Sequence, residues 1–310
     1  MQAESPNLQV VTGEKAALAD PVRLAVSLPA STDVEQAVNA VLAAAEAHLR
    51  ITFSGSQSLT TNPDLMIDQS LSAPSFVMTP IRSLRGVRKS PVSPFDVLVV
   101  ARPSSIDIDA VPTLDAAAYL ARRFGRDRII VLAKDPIALA RLPEAPALPG
   151  GLSVEHMTLA GFTQRLIGGH APRAVVATAT GMQQAVADVL ASLAGTDDLT
   201  STFIHDGALR VSAAGAHSRS HLSGLIPALI TLLALRNESD AARFLELAWL
   251  HSLEDGLATD GHLSVQSHTT VLSMVEFCQA LRERSAIPPR YIAASLPPPE
   301  QRNRPRLRLV

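Results

Sequence analysis

The sequence predicts an α/β fold, and three observations carry that reading. The runs 95–101 (FDVLVVA), 128–133 (RIIVLA) and 174–178 (AVVAT) are too short for helices and too uniformly apolar for half-exposed strands. They read as strands buried on both faces. Stretches of helical periodicity alternate with them, as they do where helices cover a sheet. Late in the chain, a tight His205-Asp206-Gly207 turn between residues 200–204 and 208–213 signals a hairpin, which adds antiparallel strands.

Each element follows in chain order. Residues 22–28 alternate as a strand. Thr32 and Glu35 have capping-box spacing, and Val34, Val38, Val41, Leu42 and Leu49 then share one helical face. Residues 51–53 resume an extended pattern. Residues 54–94 are rich in Ser, Thr and Pro and are expected to be loop-dominated. After strand 95–101, a helix at 114–124 ends at Gly125 and leads into strand 128–133. Residues 152–159 read as a strand and 160–167 as a helix, with GGHAPR (168–173) as a plain connection. Strand 174–178 then runs into a helix whose apolar face is Met182, Val186, Val189 and Leu193. Three helices close the pattern: 222–235, 240–255 capped by Ser239, and 270–284. Trp249 and Cys278 lie on apolar helical faces and are expected in the core.

Composition excludes several classes. A chain of 310 residues with 47% hydrophobic content can bury a large core, yet no apolar run reaches the length of a membrane span. A net charge of −2 argues against general nucleic-acid binding, which needs a basic face. One cysteine rules out an intramolecular disulfide and a Cys-based zinc cluster, and suits a reducing compartment. The opening MQAESPNLQVVTGEK resembles neither a signal peptide nor a transit peptide, so a cytoplasmic protein is expected. No G-x-G-x-x-G and no G-x-S-x-G occurs. His217 and His221, preceded by His205-Asp206, have metal-like spacing but fall in expected loop and turn, where a solvated polar loop is the better reading.

One helix invites a metal reading. Asp188 is the only carboxylate of the helix that follows strand 174–178, and Gln184 sits one turn before it. Two acids at that spacing can share a divalent cation; here one of the pair is an amide.

The last three helices, GLIPALITLLALR, SDAARFLELAWLHSLEDGLATDG and SHTTVLSMVEFCQALRER, resemble the C-terminal helices of the isocitrate and isopropylmalate dehydrogenase family. RDRIIVLAKDPI is similar to the family strand that delivers a lysine, and VEQAVNAVLAAAEAHLRITF to its first helix and second strand. The segment RAVVATATGMQQAVADVLASLAG is similar to its strand-to-helix element, and the likeness covers roughly two-thirds of the chain. The resemblance implies a large α/β domain made by both chain ends, 20–101 with 200–286, and an inserted small domain, 102–199. An N-terminal extension, 1–19, and a flexible Pro/Arg-rich tail, 287–310, with Arg302, Arg304, Arg306 and Arg308, would flank them. It further implies a homo-oligomer, or a hetero-oligomer with a related subunit, paired through the helix at 181–193.

The same resemblance sets out what oxidative decarboxylation of a 2-hydroxy acid requires, and the chain meets it unevenly. Carried over, the metal carboxylates fall on Gln184 and Asp188, an incomplete site, because an amide is a poor ligand for a hard cation. Lys134 matches the proton-relaying lysine, with Ala133, Asp135 and Pro136 as unusual neighbours. No tyrosine acid is in place: Tyr119 lies within a helix, Tyr291 lies in the tail, and the arm between Arg102 and Leu114 looks deleted. SLRGVRK resembles the substrate-arginine motif, giving Ser83 and Arg88, and Arg102 in VVARP resembles the next arginine. The cofactor loops are degenerate. PASTD has no glycine, Ala214 stands where a histidine is expected, Ile226 replaces an Asn, and Gly215 alone survives of the second loop.

The expected function is therefore a non-catalytic member of this family, serving as a regulatory or structural subunit or as a scaffold for a small dicarboxylic acid, with no cofactor. The alternative is a divergent 2-hydroxy-acid enzyme using Lys134, Arg88 and Asp188, with Mg or Mn and NAD(P).

Overall fold

The apolar run at 95–101 becomes β5 (Asp96–Ala101), an inner strand of an eight-stranded sheet in the computed structural model of this chain. The structure describes residues 8–11, 23–26, 64–67, 73–84, 94–103, 114–142, 148–170, 172–207, 209–212, 224–236, 239–259 and 269–285. The expected helix to Leu49, the extended residues 51–53 and the Pro/Arg-rich tail lie outside these residues.

β1 (Leu8–Val11) and β2 (Arg23–Val26) form an antiparallel ribbon. The main sheet then takes β3 (Asp64–Ile67), β4 (Phe76–Arg82), β5, β6 (Arg128–Ala133), β7 (Ser153–Thr158), β8 (Arg173–Ala177), β9 (Thr202–His205) and β10 (Leu209–Ser212). Their order is β3-β10-β9-β4-β5-β8-β6-β7, so strands from both sides of the expected boundary at residue 101 share one sheet. β5, β8, β6 and β7 run parallel, and β4 pairs antiparallel to β5. Parallel strands need cover on both faces, which explains the apolar runs of the inner strands β5, β8 and β6; β7, at the edge, lacks one.

Two helical layers supply that cover. On one face, α1 (Leu114–Arg123), α5 (Leu225–Leu235), α6 (Ser239–Glu254) and α7 (Met274–Ser285) pack on Leu98, Val100, Ile129, Val131, Val175 and Phe203. On the other, α3 (Leu159–Ile167) and α4 (Gln183–Ala194) pack on Val97, Val99, Ile130, Leu132 and Val176. The short α2 (Pro136–Ala140) follows β6. Trp249 and Cys278 are both buried in the first layer. The hairpin forms as expected, with Gly207 in the left-handed region at φ 76°. Among the described residues, no helix is long and apolar enough to cross a membrane.

Three expectations need correction. Residues 54–94 are not mostly loop where they are described, because they contain β3 and β4. β4 includes Pro80, which obscured it, but β9 pairs with β4 only from Phe76 to Met78. Pro80 thus lies where β4 has a neighbour on one side alone, and there its missing N–H is tolerated. The buried face of α4 is Gln183, Val186, Ala187, Leu190, Ala191 and Ala194, whereas Val189 is exposed. Alanines carry much of this face, so an assignment by large apolar residues rotated it. Finally, α7 starts at Met274, after β12 (Thr270–Val271) pairs parallel with β11 (Leu257–Ala258). Its cap is a reciprocal pair. Ser273 and Glu276 form it, with the Glu276 amide donating to Ser273 Oγ (3.3 Å) and the Ser273 amide donating to Glu276 Oε2 (2.9 Å).

Candidate functional site

The parallel strands β5, β8 and β6 end together. Register pairs Val100 with Ala177 and Val131 with Ala177, so Arg102, Thr178 to Thr180 and Lys134 emerge at one carboxyl edge. Open parallel sheets place ligands at such an edge. Arg102 is exposed, and its carbonyl accepts a hydrogen bond from Thr180 Oγ1 at 3.2 Å. Lys134 is also exposed. Its unusual neighbours have a local reason: Asp135 Oδ1 accepts the Ala138 amide at 2.8 Å, and Pro136 opens α2. Asp-Pro is therefore a helix start placed directly after the lysine.

α4 begins at Gln183, after β8 ends at Ala177, and carries Asp188 in its second turn. Gln184 is exposed and its Nε2 donates to Asp188 Oδ1 at 2.7 Å. A carbonyl oxygen that close to a carboxylate would repel it, so the amide NH₂ must face Asp188.

The opposite edge holds a cavity. Ser83 follows β4, its amide donates to the Phe95 carbonyl at 2.9 Å, and its Oγ accepts the Phe95 amide at 3.3 Å. The whole of β5 separates it from Arg102, roughly 20 Å at the usual strand rise. The structure thus does not bring Ser83 together with Arg102 and Lys134. Here register pairs Asp96 with Arg82 on β4 and with Arg173 on β8, and paired residues share a face of the sheet. Arg126, ahead of β6, donates to Asp96 Oδ1 at 2.7 Å, and Arg82 pairs with Glu246 of α6. These groups line a cavity of about 670 Å³ roofed by α5 and α6. Burial pulls the Arg126 pKa below its ordinary value; Asp96 opposes that shift, while Arg173 and Arg82 add to it. None of Arg126, Arg173 and Asp96 stood out in the sequence. Each sits just before or at the start of an apolar strand, and only the strand register makes them converge.

No protein-family model matches the chain, and no curated protein matches it by sequence. Solved structures do match. The TT0538 protein from Thermus thermophilus superposes with a TM-score of 0.54 at 14% identity, over 91% of this chain and 72% of that one. Isocitrate dehydrogenase from Methylococcus capsulatus superposes with a TM-score of 0.54 at 16% identity, over 81% of this chain and 95% of that one. The fold is isocitrate dehydrogenase-like. At such identities the likeness is one of fold, and function must be argued from the site.

The metal that this isocitrate dehydrogenase-like fold implies can be tested against its donors. Asp188 offers one carboxylate, already engaged by the amide N–H of Gln184, which presents to it a donor and not a ligand oxygen. Hard divalent cations take six or more oxygen ligands, several of them anionic in tight sites. Among the described residues no group of three His, Cys, Asp or Glu is assembled. The donor set does not fit. Arg88, the loop with Ala214 and Gly215, and the pair His217 and His221 lie outside the described residues.

Proposed function

We propose that this chain is a non-catalytic protein on an isocitrate dehydrogenase-like fold, serving as a regulatory or structural subunit or a ligand-binding scaffold. The observation that carries the reading is the 2.7 Å hydrogen bond from Gln184 to Asp188. It turns the position of a shared cation into a closed amide–carboxylate pair. The degenerate cofactor loops and the missing tyrosine acid support the same conclusion from the sequence. In this reading residues 20–101 with 200–286 form one lobe and 102–199 the other. α4 pairs subunits through its outward side, where Val189 is 42% exposed between the half-buried Met182 and Leu193.

Calorimetric titration of the full chain with manganese, NAD, NADP, isocitrate and isopropylmalate tests this. No heat beyond dilution is expected from manganese, NAD or NADP, and micromolar binding of a nicotinamide cofactor would overturn the reading. A gain-of-site variant sharpens it. Gln184→Asp places two carboxylates one turn apart, which costs about 0.3–0.5 kcal/mol by repulsion. Millimolar manganese is expected to raise the Tm of that variant and to leave the parent chain unchanged.

The alternative of a divergent 2-hydroxy-acid enzyme rests on Lys134 and Arg102 standing exposed at one carboxyl edge. Turnover of either acid with NAD(P) that disappears in Lys134→Ala would favour it.

A further inference from the structure

Arg126 is left with more hydrogen-bonding capacity than the folded chain uses. Its side chain is only 6% exposed, and Nη2 donates to Asp96, but Nε and Nη1 have no hydrogen-bond partner. A buried guanidinium needs its donors satisfied, and it stays charged at neutral pH. Asp96 is poorly placed to supply the remainder, because Arg82 and Arg173 flank it on the adjoining strands. The surroundings point the same way. Five arginines against two carboxylates line the cavity beside it, leaving an excess of positive charge in a concave, partly apolar space. Thr196 adds a second unfinished group: its Oγ1 is buried in the same wall without a partner. Phe95, Phe124 and Trp249 also line it. A volume of about 670 Å³ is far more than a bare inorganic anion fills and suits a small organic molecule.

We propose that this amino-edge cavity binds a small organic anion, an oxyanion group on a planar apolar body. Arg126 and Arg173 hold the oxyanion, the Thr196 hydroxyl donates to it, and Trp249 and Phe124 receive the body. Carboxylate and phosphate share this chemistry, since both accept two parallel N–H donors from a guanidinium. The site lies across the sheet from Arg102 and Lys134, so the inference holds whether or not the carboxyl edge is active.

Phthalate and phenyl phosphate are the probes, added to the full chain and followed by calorimetry and by Tm. Saturable binding is expected for at least one, and whichever binds tighter identifies the oxyanion. Thr196→Val and Arg173→Ala are each expected to weaken binding about tenfold. Both keep the Arg126–Asp96 pair, so they stay informative even where Arg126→Gln fails to fold. Three results would each overturn the proposal: no binding of either probe to the folded chain, equal binding of inorganic sulfate, or binding that these variants leave intact while Arg102→Ala abolishes it.

Discussion

Adjacent glutamines at the start of α4 show how little side-chain type alone reveals. One step along a helix turns a residue by about 100°. Gln184 therefore faces outward to Asp188, while Gln183 faces inward, and its Nε2 donates to Thr79 Oγ1 at 2.7 Å. That oxygen also lies 3.2 Å from Thr202 Oγ1, so one buried chain of polar groups ties α4 to β4 and β9. Removing the amide takes one of the two partners of the Thr79 hydroxyl and leaves Thr202. Gln183→Leu is expected to cost about 0.5–1.5 kcal/mol, read as a lower urea midpoint with an unchanged m-value. The sequence could not announce this contact, because its partners lie 104 residues apart or more and none is apolar. Cys278 was legible, by contrast, because it fell on an apolar helical face. Burial pushes its thiol from an ordinary 9.0 up to about 12. The folded chain then keeps a proton that the unfolded chain loses, so this group's contribution is complete below pH 9 and fades as pH rises toward 12. The native thiol is expected to resist Ellman's reagent at pH 8 and to react at full rate only in denaturant. Rapid labelling of the native chain would contradict its burial.

At the scale of elements, the ends decide more than the middles. The sequence located α7 by its apolar face but placed its start at residue 270, ahead of Met274 where it begins. The actual start is fixed by Ser273-x-x-Glu276, whose groups bond reciprocally. Ser273→Ala is expected to cost about 1 kcal/mol, as N-cap losses usually do. Thermal denaturation of the variant checks it. The Ser273 hydroxyl, then its backbone N–H, holds the Glu276 carboxyl below its ordinary pKa. A lowered carboxyl stabilises the fold above its usual pKa and stops doing so as pH falls through the lowered value. The gap in Tm between parent and variant should therefore narrow in acid; a constant gap would show that Glu276 takes no part. The same lesson applies to the site. The strand ends that carry Arg102 and Lys134 could be read from sequence because each follows an apolar run. The amino-edge arginines were silent because Asp96 meets Arg173 through the register of β5 and β8, across 77 positions of chain.

For the whole molecule, the fold class was legible because parallel strands covered on both faces must be apolar throughout, and that pattern is visible in any window. How the parts share a core was not legible. The resemblance divides the chain at residue 101, yet one sheet crosses that point. One buried cluster likewise joins Ala116, Leu120, Ile129 and Val175 to Leu229, Trp249, Phe277 and Leu281. Segments that share a sheet and a core cannot exchange water for packing independently, so they should unfold as one unit. The chain's single tryptophan makes this measurable: Trp249 reports from α6, while Ile129 sits on β6, fully buried in the other part of the chain. Ile129→Ala is expected to destabilise by about 2–5 kcal/mol. It should lower the Trp249 fluorescence transition and the far-UV circular dichroism transition together, in the same denaturant range. If β6 and its neighbours instead melted before Trp249 responded, the two signals would separate. The inserted segment would then be an independent folding unit resting on the sheet.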